Sequence, residues 1–148
     1  MARDTTTGSS FEDIVKACVQ RSCSTNGLIA NRQKFVGLKP GGGRHRIDWE
    51  LVSQSNASIR GLISCKVQNT SGTADEKVAY EVIKLLYSMD VNPEYKKSWL
   101  ILGGNAWTQE KINFLNIEMP KYVPKMNKGK IIIWRTDDLI SGNLSLTD

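Results

Sequence analysis

Two short stretches of this chain carry residues of the right types to do chemistry together. In Arg46-Ile47-Asp48-Trp49-Glu50-Leu51-Val52, polar and apolar residues alternate, so Arg46, Asp48 and Glu50 share one strand face and Ile47, Trp49 and Leu51 the other. Over Gly61 to Gln68 the alternation resumes, with Leu62, Ser64, Lys66 and Gln68 on one face and Ile63, Cys65 and Val67 on the other. Ser53 to Ser58 reads as a turn, so the two strands are expected to form an antiparallel hairpin. Folded symmetrically about Ala57, the hairpin sets Asp48 across from Lys66 and Glu50 across from Ser64. Cross-strand partners lie about 4.5–5.5 Å apart at Cβ. A carboxylate is a hard oxygen ligand suited to Mg²⁺. A lysine beside it can orient or deprotonate a water and offset charge on a pentavalent phosphorane. Such a metal lowers the pKa of water and clamps phosphate oxygens. Carboxylate, metal and lysine make a minimal set for phosphodiester hydrolysis. The same residues also suit an Asp–Lys pair on a solvated sheet face.

Several elements must position this pair. Ser9 as N-cap with Glu12 three residues on fits a capping box. Phe11, Ile14, Val15, Cys18 and Val19 then form one helical stripe, and the helix is expected to end near Cys23. Residues 28–38 are ambiguous, with a strand near Lys34–Leu38. The run Lys39-Pro40-Gly41-Gly42-Gly43-Arg44-His45-Arg46 reads as a flexible basic loop. Residues 69–73 form a loop before a second helix from Ala74 to Met89, with Val78, Val82, Leu85, Leu86 and Met89 as its apolar positions. Trp99-Leu100-Ile101-Leu102 is wholly apolar, as a strand covered on both faces should be. Strand, helix and strand over 61–102 imply a parallel crossover. Thr108 can cap a third helix with Ile112 and Leu115 inside, Pro120 and Pro124 flank a lysine-bearing loop, and Ile131–Trp134 reads as a last core strand. Asp137 to Ile140 starts a terminal turn. The order is αββαβαβ, an α/β domain on a small mixed sheet flanked by helices.

Composition bounds the rest. The chain has 148 residues, which suits one domain over 10–148 preceded by a flexible 1–9. No apolar run reaches the roughly 20 residues of a membrane span, and MARDTTTGSS lacks the apolar stretch of a secretory signal. Cys18, Cys23 and Cys65 have no metal-type spacing, which suits reduced thiols and a cytoplasmic setting. The net charge of +5 is compatible with a polyanionic partner.

Element order and motif together resemble the PD-(D/E)xK nuclease superfamily of restriction enzymes, archaeal-type Holliday junction resolvases and Mrr-like nucleases. That family carries a glutamate on the first helix, an aspartate on a strand and an acid-x-lysine on the following strand. Phe11-Glu12, Ile47-Asp48 and Ser64-Cys65-Lys66 fall at these places, and Gln68 fits a variant of the pattern. The resemblance covers roughly residues 8–140 and implies a restriction-endonuclease-like fold. One departure stands out: Ser64 occupies the place of the acid. A restriction-enzyme subgroup also carries Ser-Cys-Lys and takes its carboxylate from the following helix. Here that helix bears Asp75, Glu76 and Glu81; Glu81, fifteen residues after Lys66, lies near the subgroup's spacing. Glu76 and the strand residue Glu50 are the alternatives. The resemblance implies Mg²⁺, with Mn²⁺ as the alternative, held by Asp48, Glu81 and the backbone carbonyl of Cys65; a thiolate is a poor Mg²⁺ ligand. Lys66 would handle water and phosphate, with Glu12, Ser64 and Gln68 beside it.

DNA, double-stranded or branched, is the expected partner. Lys39, Arg44, His45 and Arg46 precede Asp48 and are candidate contacts to phosphates and base edges. Asn105 and Gln109 follow the central strand at its carboxyl end, where ligands approach open α/β sheets. The lysines between 121 and 130 are most simply a solvated loop. One site cuts one strand, so paired cuts call for a homodimer or higher symmetric oligomer. Within this class a type II restriction enzyme, a junction resolvase and an intron-type homing enzyme all remain open. A DNA-binding module without catalysis and an α/β domain that binds no nucleic acid are the rival readings.

Overall fold

A computed structural model describes residues 8–69, 74–128 and 130–147. Residues 1–7 and 70–73, expected to fray and to form a loop, lie outside the described residues, as do the side chains of Ser9 and Asp75.

The first helix, α1, runs Gly8–Asn26. It begins before Ser9, so Ser9 lies inside the helix and not at its cap. Phe11, Val15, Cys18 and Val19 are buried, as their spacing predicts. The helix outlasts Cys23 because its last turn is tied down. Ser22 Oγ accepts from the Leu144 amide at 3.1 Å, and Asn26 donates to the Leu144 carbonyl at 2.9 Å.

Residues 28–38 form a complete strand, β1 (Leu28–Leu38), rather than a short one near 34–38. It pairs antiparallel with β2 (Arg44–Ser53). The glycine-rich segment between them is a hydrogen-bonded turn and not a loose loop: Lys39 and Gly43 pair at 3.0 Å, and Gly41, Gly42 and Gly43 have φ of +83°, +97° and +87°. Side chains with a Cβ avoid that region, which accounts for the three glycines.

Strand β3 (Arg60–Val67) runs antiparallel to β2, whereas β4 (Tyr95–Gly103) and β5 (Ile131–Arg135) extend the sheet in parallel. The order is β1-β2-β3-β4-β5. Helix α2 (Ala74–Val91) is the crossover from β3 to β4. The second crossover is α3 (Gln109–Asn113), a wide π-type turn over Phe114–Glu118, α4 (Met119–Tyr122) and a tight turn of helix over Pro124–Lys128. Thr108 caps α3, its Oγ1 accepting from the Lys111 amide. A short α5 (Thr136–Ser141) is the last helix of the described residues. Among the described residues no helix is long and apolar enough to cross a membrane.

Strand β4 divides the core as its all-apolar sequence predicts. Leu100 and Leu102 pack with Val78, Val82 and Leu85 of α2, whereas Trp99 and Ile101 pack with Phe11 and Val15 of α1. Each such buried side chain contributes about 1.5–3 kcal/mol.

The β2–β3 register differs from the symmetric hairpin about Ala57. The pairs are Trp49 with Ile63, Glu50 with Leu62, Leu51 with Gly61 and Val52 with Arg60. Glu50 therefore faces Leu62, not Ser64. The turn is the cause. The Ser53 amide bonds Ile59 O and the Ile59 amide bonds Asn56 O, while Asn56 Oδ1 accepts from the Ser58 amide. An Asx turn centred on Asn56 shifts the hairpin centre by one residue and every partner by two.

Candidate active site

Asp48 sits where the regular alternation of β2 fails. Ile47 packs into the α2-side core, yet Trp49 and Leu51 pack into the α1-side core. Opposite this break, Gln33 of β1 has φ +56°, between the pairs Arg32–Trp49 and Lys34–Ile47. Both strands turn over at this level. Asp48 thus faces α1, where its Oδ2 accepts from the Cys65 amide at 2.8 Å. This bond and the shifted register overturn the expected pairing of Asp48 with Lys66.

A small cavity of about 30 Å³ opens beside Asp48, lined also by Glu12, Val15, Arg32, Gln33, Trp49 and Cys65. It has room for a water or a bare ion and not for an organic ligand. Glu12 reaches it from the start of α1 and pairs with Arg32 at 3.4 Å. Burial pushes the Asp48 carboxyl up from its ordinary range; the Cys65 amide and the Lys66 charge pull it back in part, and Glu81 and Glu12 add to the rise.

The other half of the site lies on the α2 side of β3. Alternation sets Ser64 and Lys66 there and turns Cys65 away from them. Glu81, on the buried face of α2, meets both. Its Oε2 accepts from Ser64 Oγ at 3.0 Å, and its Oε1 lies 3.2 Å from Lys66 Nζ and 2.5 Å from Lys84 Nζ. Burial raises the Glu81 carboxyl, but the Lys84 hydrogen bond, the Lys66 and Lys84 charges and the Ser64 hydroxyl outweigh it and hold the group below its usual value. Lys66 remains 42% exposed at its side chain, so its ammonium is accessible from solvent. The two halves join through the Cys65–Lys66 peptide, and the Lys66 charge acts on Asp48 across it.

The remaining acids stand apart from this cluster. Glu76 is exposed. Glu50 is wholly buried in a separate network with Tyr95 (2.6 Å), Asn31 (2.9 Å) and Arg60 (3.3 Å). Of Glu50, Glu76 and Glu81, only Glu81 has a carboxylate on Ser64 and Lys66. Burial, then the Asp48 charge, pushes the Cys65 thiol well above its ordinary value, so its sulfur is an unreactive apolar filler. Gln68 leaves β3 with its backbone pinned: its amide donates to Gly103 O and its carbonyl accepts from the Ala106 amide, both at 3.0 Å.

His45 is a correction. It is the second residue of β2, and strand alternation turns it inward with Ile47. It is 3% exposed, with Nδ1 at 2.9 Å from Ser88 Oγ. Burial and then the Lys84 charge keep its pKa below the ordinary value. It is a packing residue in the core, with its ring turned away from solvent. Arg44 and Arg46 point outward, both over the Phe35 ring. Lys39 is half-buried along the turn. The Asn105 amide bonds Asn69 Oδ1 at 3.2 Å, and Gln109 accepts from Arg135 at 2.7 Å and donates to Asn113. Lys84 and Arg32 escape the sequence reading. Lys84 stands three residues after Glu81, a legible helical pair; Arg32 lies in the part of β1 that periodicity leaves ambiguous.

Hard carboxylate oxygens on Asp48 and Glu81, with an ion-sized cavity beside Asp48, suit a divalent cation in donor type. They are not gathered in advance: among the described residues no three His, Cys, Asp or Glu side chains form a metal-ready group.

A helix, an antiparallel meander and a parallel crossover, with an aspartate, a lysine and a helix-borne glutamate around the third strand, define an α/β domain of nuclease type. The chain belongs to the PD-(D/E)XK nuclease superfamily, whose domain pattern matches residues 14–140. Nucleases of this superfamily typically use divalent metals. No curated protein matches the chain.

Proposed function

We propose that this protein is a Mg²⁺-dependent DNA endonuclease, closest in its site to type II restriction enzymes of the Ser-Cys-Lys kind. The observation that carries this is Glu81. Its carboxylate reaches from α2 to Ser64 Oγ and Lys66 Nζ, which supports it as the acid that the strand lacks. Asp48, Glu81 and the Cys65 carbonyl would hold the cation, which when bound supplies an acidified water and charge for the phosphate. Mn²⁺ would suit the same oxygens. Lys66, an ammonium beside Glu81, would orient the attacking water and offset charge on the phosphate, the water's proton passing to bulk solvent. Glu12, with Arg32, orders the solvent side of the Asp48 cavity. Ser64 holds Glu81, and the pinned Gln68 backbone fixes the end of β3. Lys39, Arg44 and Arg46 contact phosphates; Asn105 and Gln109 approach base edges from the carboxyl end of β4.

A second reading rests on the same carboxylate. Both Glu81 oxygens are committed to a hydroxyl and two ammonium groups, which also suits a DNA-binding module without catalysis.

The deciding experiment incubates supercoiled plasmid, phage DNA and a four-way junction with wild type, Lys66→Ala and Glu81→Gln, with and without Mg²⁺. Wild type should cut only with the metal, and both variants should lose about 100-fold or more. Discrete duplex fragments indicate restriction, and symmetric nicks at the junction a resolvase. DNA binding without any cutting, or equal rates for wild type and Lys66→Ala, overturns the enzyme.

A further inference from the structure

The whole formal excess of positive charge lies on one hairpin. Between Leu28 and Ile47 stand Arg32, Lys34, Lys39, Arg44 and Arg46, with no Asp or Glu. The chain has 20 basic and 15 acidic residues, so without these five it holds 15 of each. β1 is the edge strand of the sheet, and its hairpin with β2 presents this charge to solvent.

The guanidinium groups are also ordered. Arg44 Cζ lies 3.6 Å from the Phe35 ring centre and Arg46 Cζ 4.8 Å. Phe35 and Arg46 are register partners, and Phe35 is 38% exposed, so its ring is open to solvent beside both guanidiniums. Arg46 donates to Gln33 Oε1 at 3.5 Å, and Gln33 lines the Asp48 cavity. Arg32 lines the same cavity, with its Cζ 5.7 Å from the Trp49 ring centre. A strip of three guanidiniums and two rings therefore runs from the turn at residues 39–43 down to the cavity.

We propose that this strip is the track for the phosphodiester backbone of the nucleic acid. Phe35 is its positioning residue, holding Arg44 and Arg46 stacked before DNA arrives. Guanidiniums match phosphate oxygens in paired hydrogen bonds, and a stacked one loses less freedom on binding. Arg32 marks the inner end, where the strand meets Asp48. Recognition along the strip is of backbone, not sequence. The path rests on the nuclease reading for its inner end only.

The test is anisotropy of a short fluorescein-labelled duplex in EDTA, where no cutting occurs, over a range of salt concentrations. Arg44→Gln/Arg46→Gln should lower the slope of log K against log salt by roughly two, at about 0.9 for each phosphate left unneutralised. Lys121→Gln/Lys125→Gln removes the same charge elsewhere and should leave the slope unchanged. Phe35→Ala, with its melting temperature checked, should weaken binding roughly three- to tenfold, and Phe35→Trp should restore it. The proposal falls if the Lys121/Lys125 pair lowers the slope as much as the arginine pair, if Phe35→Ala binds like wild type, or if wild type binds no duplex at low salt. Wild type that binds through the hairpin but cuts nothing with Mg²⁺ sinks the nuclease reading alone. Wild type that cuts while its hairpin variants bind unchanged sinks the track alone.

Discussion

Partial burial of Asp48 works against its ionised form. Its carboxyl is half-buried beside Cys65 and Trp49, compensated by one amide bond and a lysine charge that is shared with Glu81. Burial raises its pKa, so ionised Asp48 opposes folding at neutral pH. Asn keeps an oxygen to accept the Cys65 amide and removes the charge. Asp48→Asn should therefore raise the melting temperature by roughly 2–4 °C, the effect of about 1 kcal/mol in a chain of this size, while cleavage disappears. Calorimetry at neutral pH beside a plasmid assay checks both. A variant that melts lower than wild type would show the carboxylate to be stabilising, against this account. Glu81 is the opposite case, a buried carboxylate whose two ammonium partners and hydroxyl leave it favourably ionised.

Strand positions are set by a second buried carboxylate that has no part in the chemistry proposed. Glu50 of β2 ties Asn31 of β1, Arg60 at the start of β3 and Tyr95 at the start of β4. Burial alone would raise it, but the Tyr95 hydroxyl, the Asn31 amide and the Arg60 charge together hold it below its ordinary 4.5. A depressed folded pKa adds stability that is complete above about pH 4.5 and is lost as pH falls through the lower folded value. Glu50→Gln should accordingly cost about 1–3 kcal/mol at neutral pH, with the gap to wild type closing on acidification. Denaturant midpoints from pH 7 downward measure it; a gap that widens in acid would contradict the sign. The same network explains why Glu50 cannot serve as the missing acid. Its oxygens are spent on holding four strands in register.

At the scale of the molecule, the proposed chemistry has one Lys66 and one Asp48 per protomer, so on that reading a single protomer would offer one cut. Two protomers are expected on duplex DNA that is cut in both strands. Sedimentation with bound duplex should give the mass of the duplex plus twice the 16.5 kDa chain, and linear product should rise more steeply than first order in enzyme. A monomer that makes paired cuts in one encounter would refute this.

Much of the fold was legible because burial leaves a period. The stripe from Phe11 to Val19, the all-apolar Trp99–Leu102 and the Thr108 cap all follow from local rules that the tertiary structure obeys. Ser64-Cys65-Lys66 was legible in the strand itself, whereas Glu81 stood beside Glu76 and Glu50 as one of three acids that the resemblance offered. The β2–β3 register was not, because hydrogen bonds of the Asn56 side chain, rather than the apolar pattern, centre the turn. The facing of Asp48 was hidden for a related reason: alternation predicts the sheet face only while the strand stays regular, and β2 turns over opposite Gln33. His45 read as a candidate DNA contact in a basic loop, but one more step of the pleat buries it against Ser88. The sequence by itself determined which residue types are present and in what order the elements come, since both are local. Only the tertiary structure decided which acid meets Lys66 and which side of the sheet Asp48 takes, because those depend on contacts between segments that no single period records.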